Sequence, residues 1–201
     1  MLKIFKKENI KGFTLIELLI SVSIITIIMS VVLFNYSKFN SDLSLTTSAQ
    51  YLAIAIREAQ INALAVKETY QGNGRFDDPY GVFFDPTKAG YYYIFVDKNG
   101  NDAYDSGVGC FDVGGTECIE RVDLKTDVTL YQICSGNTCY PNPPRTLAVL
   151  FRRPDPEAKI LFFDNGVQSG SAQQRGQIVL KSASGKTIKV IVESTGYVLI
   201  Q

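Results

Sequence analysis

The chain of 201 residues has no histidine. A Ser-His or Cys-His catalytic pair is thereby excluded, and zinc would have to be held by thiolates or carboxylates alone. Net charge is also missing, since 20 basic residues balance 20 acidic ones. The total says little about partners, but the distribution says more. Lys3, Lys6, Lys7 and Lys11 precede a long apolar run, against Glu8 as the one acid there. Beyond residue 34 the other 16 basic residues face 18 acidic ones, Glu8 and Glu17 being the two left behind. That part is about −2, which argues against nucleic acid as a partner.

Between Gly12 and Gly72 there is neither glycine nor proline, so nothing in that stretch is built to break a helix. Within it, residues 13–34 contain a single ionisable group, Glu17. About 20 apolar residues span the hydrocarbon core of a bilayer. A secretory signal has a shorter apolar core, followed by a small-residue cleavage site. Here the run is followed by Asn35-Tyr36-Ser37-Lys38, which lacks that pattern. The lysines on its amino-terminal side place that end in the cytoplasm and the remainder outside.

Glu17 is the anomaly. An acidic residue at the centre of a membrane helix costs roughly 2.5–3.5 kcal/mol on the insertion scale. Near the edge the cost is lower, yet the carboxylate still needs a partner. No cation follows within the run, and Lys11 lies six residues earlier, where it prefers water. A cut before Phe13 would create an α-amino group four residues from Glu17. The amine of one copy could then pair with the Glu17 of another.

The segment Gly12-Phe13-Thr14-Leu15-Ile16-Glu17, after a short basic leader and before an apolar helix, resembles the type IV prepilin signature. The resemblance implies cleavage by prepilin peptidase between Gly12 and Phe13, N-methylation of Phe13, and Glu17 as the carboxylate needed for subunit docking. It further implies other pilin or pseudopilin subunits and an inner-membrane assembly platform as partners. One departure is plain. Major pilins commonly carry a kinking proline near the outer end of the span, whereas this chain has Phe34 there and no proline before Pro79.

The helical pattern continues past the span. Leu45, Ala49, Leu52, Ile56, Ala59, Ala63 and Val66 recur at steps of four and three, one apolar stripe on a helix. One helix is expected from about residue 13 to 67, roughly 80 Å long at 1.5 Å per residue, with Ser41 and Asp42 as a local weakening. The alanine-rich stretch 48–65 resembles the helix of GspH/FimT-like minor pseudopilins. After Gly72 the texture turns to short β-type runs at 80–84, 91–96, 128–133, 147–152, 160–163, 177–181, 187–192 and 197–200. Ser184-Gly185 and Thr195-Gly196 punctuate the last three as a meander. The end of the chain, from Ile160 on, again resembles GspH/FimT-like heads.

The expected fold is α+β and pilin-like: a long amino-terminal helix packed on a carboxy-terminal antiparallel β-sheet head. Residues 1–12 form the basic leader, 13–34 the membrane and assembly helix, and 35–68 its amphipathic continuation. Residues 69–201 form an extracytoplasmic β-rich head, in which 107–144 is a disulfide-stapled loop. Four cysteines allow three pairings, and their spacings match no zinc or C-x-x-C pattern. An exported region favours disulfides, and local closure favours Cys110–Cys118 with Cys134–Cys139.

Residues 97–105, DKNGNDAYD, place oxygen-bearing side chains at relative positions 1, 3, 5 and 9: Asp97, Asn99, Asn101 and Asp105. Calcium takes six to eight oxygens, so the loop is a candidate calcium site. It departs from the EF-hand pattern at Asp102, where glycine is required, and at Val108, where glutamate is required. The competing reading is an Asn99-Gly100 turn between β segments.

Three functions follow as expectations. The first is a minor pilin or pseudopilin of a type IV pilus or a type II secretion system, processed in the inner membrane and assembled into a filament without catalysis. The second is a pilus-tip adhesin or DNA-uptake module using the same processing. Some FimT-like members bind DNA through basic residues near the carboxy terminus, but residues 197–201 contain no cation. Arg145, Arg152 and Arg153 form a small basic cluster. A membrane-anchored enzyme is the third and has no recognisable nucleophile–base arrangement behind it.

Overall fold

The computed structural model describes residues 12–65, 77–105, 110, 117–141 and 144–201, without the side chains of Phe34, Asn35 and Ser37. The leader, Val66 of the expected stripe and most of 106–116 lie outside the described residues. One α-helix, α1, runs over Leu15–Leu64. Among the described residues eleven strands follow: β1 (Tyr80–Phe84), β2 (Tyr91–Val96), β3 (Cys118–Asp123), β4 (Val128–Ser135), β5 (Thr138–Tyr140), β6 (Thr146–Arg152), β7 (Asp155–Asp164), β8 (Val167–Gln168), β9 (Arg175–Ser182), β10 (Thr187–Glu193) and β11 (Val198–Ile200). The α+β arrangement is thus a long amino-terminal helix followed by antiparallel sheet. The chain divides into two compact units, Met1–Asn40 and Ser41–Gln201.

In the first unit, residues 12–33 are exposed throughout. That is how a helix apolar on every side looks when its own chain supplies nothing to cover it. Among the described residues, α1 is the helix long and apolar enough to cross a membrane. Its hydroxyls do not disturb that character. Ser21, Ser23, Thr26 and Ser30 each donate to the carbonyl four residues earlier, at 2.7–2.8 Å. Each polar hydrogen is therefore satisfied inside the helix, as a lipid solvent demands.

In the second unit the helix becomes one-sided. Leu45, Ala49, Leu52, Ile56, Ala59 and Ala63 are buried, while Tyr51, Ile54 and Ile61 are exposed. The buried stripe joins a core shared with the inner faces of two antiparallel sheets. The six-stranded sheet has the order β3-β2-β1-β6-β7-β8, and the five-stranded sheet the order β11-β10-β9-β4-β5. The last three strands form the expected meander, with Gly185 and Gly196 at positive φ in its turns. At Gly196 a Cβ would also lie 2.4 Å from the Pro156 carbonyl oxygen and 2.5 Å from Gln60 Nε2. Those two atoms bond each other at 2.8 Å, tying α1 to β7.

The central strands of the six-stranded sheet are buried on both faces. Val82, Phe84, Leu147, Val149, Ile160 and Phe162 face the shared core. Their neighbours Phe83, Phe95, Ala148, Leu150, Leu161 and Phe163 form a second cluster on the opposite face, covered by Ala103 and Tyr104. Two-sided burial explains why β6 reads as an unbroken apolar run rather than an alternation.

The described residues of the stretch 107–144, expected as a stapled loop, include the strands β3, β4 and β5. β3 adds to the edge of the six-stranded sheet by pairing with β2, and β4 with β5 forms a hairpin of the other sheet. The disulfides are Cys110–Cys118 and Cys134–Cys139. The second joins directly opposed residues of the β4–β5 hairpin, so it staples a sheet rather than a loop. The helix ends at Leu64, a few residues before the expected limit.

Candidate functional site

Two places carry the residues singled out in the sequence. The first is the start of α1. Gly12 and Phe13 are exposed and precede the helix, which begins at Leu15. Thr14 is its N-cap, and Glu17 stands three residues on. The Glu17 N–H donates to Thr14 Oγ1 at 3.3 Å. In return Glu17 Oε2 accepts from the Thr14 N–H at 3.3 Å and from its hydroxyl at 3.0 Å. This reciprocal pair is a capping box, which satisfies donors that the first turn would otherwise leave open. The carboxylate also sits at the positive end of the helix dipole, where negative charge is favoured. Among the described residues no cation forms a salt bridge with Glu17. The acid is thus held by its own helix end and is exposed one turn from Phe13.

The second place is the loop between β2 and β3. Asp97 is fully buried. Its Oδ1 accepts from the N–H groups of Gly100 and Asn101 at 2.7 and 3.2 Å, and its Oδ2 from the N–H of Asp102 at 2.9 Å. Asn99 Nδ2 and Asn101 Nδ2 both donate to Asp105 Oδ2, at 2.6 and 2.8 Å. The amide oxygens of Asn99 and Asn101 accept from the Asn101 and Ala103 N–H groups at 3.0 and 2.8 Å. All four predicted residues therefore come together in one loop. Among the described residues, no three acidic or cysteine side chains are arranged to hold a metal ion.

Sequence reasoning missed Glu117, which is 3% exposed. Its two carboxylate oxygens accept from the N–H groups of Lys98 at 3.1 Å and Asp105 at 2.9 Å, closing the loop at both ends. Burial pushes its carboxyl above the ordinary glutamate range, and the charges of Asp105 and Asp97 add to this. The two N–H donors pull the other way. No local pattern marks Glu117, because its partners lie 19 and 12 residues away.

The loop delivers Tyr104 onto the outer face of the six-stranded sheet. Its ring centroid lies 4.9, 5.1 and 5.3 Å from those of Phe83, Tyr93 and Phe95. Burial raises the Tyr104 phenol above its ordinary range, and Glu117 adds to the effect. The Tyr93 phenol is pushed up to about 12, by burial first and then by the Tyr91 hydroxyl. The basic cluster is spoken for by acids. Arg145 pairs with Asp164 at 2.7 Å, Arg152 with Asp102 at 3.6 Å, and Arg153 with Asp77.

Residues 8–33 match the family model of the prokaryotic N-terminal methylation motif. The chain has a type IV prepilin-like amino terminus. The match spans Gly12, Phe13 and Glu17, together with the first part of α1. Such a motif marks a pilin-like protein processed by prepilin peptidase, and with the apolar helix it fits anchoring in the inner membrane. The prepilin-like motif also points to a structural subunit, a class that is usually not enzymatic. Among curated proteins and among solved structures, nothing matches the chain.

Proposed function

We propose that the chain is a minor pilin or pseudopilin: cut between Gly12 and Phe13, N-methylated on Phe13, and built into a type IV pilus or a type II secretion pseudopilus. The methylation motif over residues 8–33 carries this reading. Glu17 then supplies the charge that receives the new amine of a neighbouring subunit. The capping box supports this role, because it holds the exposed carboxylate one turn from Phe13, close to the cut. Other subunits and the inner-membrane assembly platform are the partners.

Mass spectrometry of the mature amino terminus tests the proposal. Coexpression with prepilin peptidase should give methyl-Phe13 as the first residue. An uncut leader, or a cut beyond Phe34, rejects it. Glu17→Ala should still be cut yet fail to enter filaments. Normal assembly of that variant removes the pairing role while leaving the processing intact.

The GspH/FimT-like reading and the tip adhesin or DNA-uptake alternative rest on the head. Pairing of Arg145, Arg152 and Arg153 with acids speaks against a free basic surface there.

For the loop of Asp97, Asn99, Asn101 and Asp105 we propose a structural strap that needs no calcium. The oxygens of Asp97, Asn99 and Asn101 already accept backbone N–H donors, so they are satisfied without an ion. Millimolar calcium should therefore leave the unfolding temperature unchanged. A rise with calcium but not with magnesium would restore the metal reading.

A further inference from the structure

The head is poor in the side chains that oxidants attack first. The chain has no tryptophan and no histidine, and its two methionines, Met1 and Met29, precede residue 41. All four cysteines are closed into disulfides, which removes the thiolate, their reactive form. In residues 41–201 the phenol of tyrosine is therefore the group left to give up an electron.

Two of these phenols stand side by side. Tyr91 and Tyr93 are two residues apart on β2 and so share a face of the sheet. Both are half-buried. Their ring centroids lie 5.4 Å apart, with the ring planes at 77°. The hydroxyls are close enough that Tyr91 helps to hold the proton on Tyr93. Cations steady both rings: the Arg121 guanidinium lies 4.2 Å from the centre of Tyr91, and the Lys88 ammonium 5.7 Å from that of Tyr93. Among the described residues, the other tyrosine pair with rings in contact is Tyr93 and Tyr104, at 5.1 Å. Tyr51, Tyr131 and Tyr197 are more exposed, yet among the described residues none has a second tyrosine ring against it.

Phenoxyl radicals combine through the ring carbons next to the oxygen, which gives a biphenyl with its two hydroxyls adjacent. The pair on β2 suits that product in two ways. Same-face neighbours on a strand are about 7 Å apart, a span that a biphenyl joined in this manner bridges with its two β-carbons. The hydroxyls already lie together, as they do in the product. We propose that Tyr91 and Tyr93 form an oxidative coupling site, at which hydrogen peroxide activated by a peroxidase joins the two rings as dityrosine. One C–C bond forms and two ring C–H bonds break. Two electrons and two protons pass to the peroxide, which leaves as two waters. The head then gains a third covalent fastening besides its disulfides, one that a thiol reductant cannot open.

The test treats the full chain, dilute in detergent micelles, with a peroxidase and hydrogen peroxide, followed by trypsin and mass spectrometry. Residues 89–98 form one tryptic peptide, bounded by Lys88 and Lys98. That peptide should appear lighter by two hydrogens, with no fragment separating Tyr91 from Tyr93, and should carry dityrosine fluorescence. Tyr91→Phe and Tyr93→Phe keep the rings, are checked for an intact fold by circular dichroism, and should each abolish this product. Tyr104→Phe should leave it in place. The proposal is overturned if the product survives either Tyr91→Phe or Tyr93→Phe, or if Tyr93 is found joined to Tyr104 instead. It is equally overturned if covalent dimers through the exposed tyrosines dominate, or if no dityrosine forms at all.

Discussion

Within the single helix α1, Leu18 and Ile25 are more than half exposed, whereas Leu52 and Ile56 are completely covered. The residue types are the same, and the propensity for helix is similar. What differs is the solvent each part is written for. Residues 15–33 are apolar on all sides and carry their hydroxyls bonded to their own backbone, the design for lipid or for neighbouring helices. Residues 45–63 are apolar on one side, the design for a protein core facing water on the other. Hydrophobicity alone does not say which residues hold the head together; periodicity does.

The sharpest way to break this comparison is a pair of matched truncations. Leu52→Ala removes a fully buried side chain and should cost the head about 2–5 kcal/mol. Ile25→Ala removes as much hydrocarbon from the exposed run and should change head stability by less than about 0.5 kcal/mol. Chemical denaturation of the full chain in micelles, followed by a head signal such as near-ultraviolet circular dichroism, measures both. Equal losses would mean that the two parts of the helix serve one core.

A second comparison concerns the two faces of the six-stranded sheet, one against α1 and the other against Tyr104. Tyr104→Ala should cost about 2–3 kcal/mol, at the low end of aromatic truncation because the ring is only partly buried. Tyr104→Phe should cost little, since the ring contacts remain. A harmless Tyr104→Ala would show that the strap covers the outer face without stabilising it.

These two faces also explain what the sequence made legible. Eight strands were readable because their runs are apolar or alternating between turn residues. The three missed strands each lack such a signal. β3 is an edge strand with only Cys118 buried, β5 has three residues, and β8 has two. The continuous run of β6 announces burial on both faces but not what covers them. Nothing in DKNGNDAYD says that its alanine and tyrosine cover the outer face of a sheet. At the helix start the reverse holds. Glu17 stands out because it is the one charge in 22 residues, and Thr14 with Glu17 is a local pair that spacing alone reveals.

Glu117 offers the smallest effect and the one with a definite sign. Its carboxyl is raised in the folded head, so the folded state keeps the proton at a pH where the unfolded chain, at about 4.3, has begun to lose it. The stabilisation from this group is therefore fully present below about pH 4.3 and is lost as pH rises through the raised value. Glu117→Gln keeps one acceptor for the Lys98 and Asp105 N–H groups and cannot ionise. The difference in unfolding free energy between wild type and Glu117→Gln should consequently shift against wild type as pH rises from the ordinary glutamate value, and then level off. A difference that is flat with pH would mean that the two N–H donors just offset burial, leaving the carboxyl unshifted. A slope of opposite sign would place Glu117 among acids stabilised as anions, and the loop would then carry a negative charge that the strap interpretation does not use.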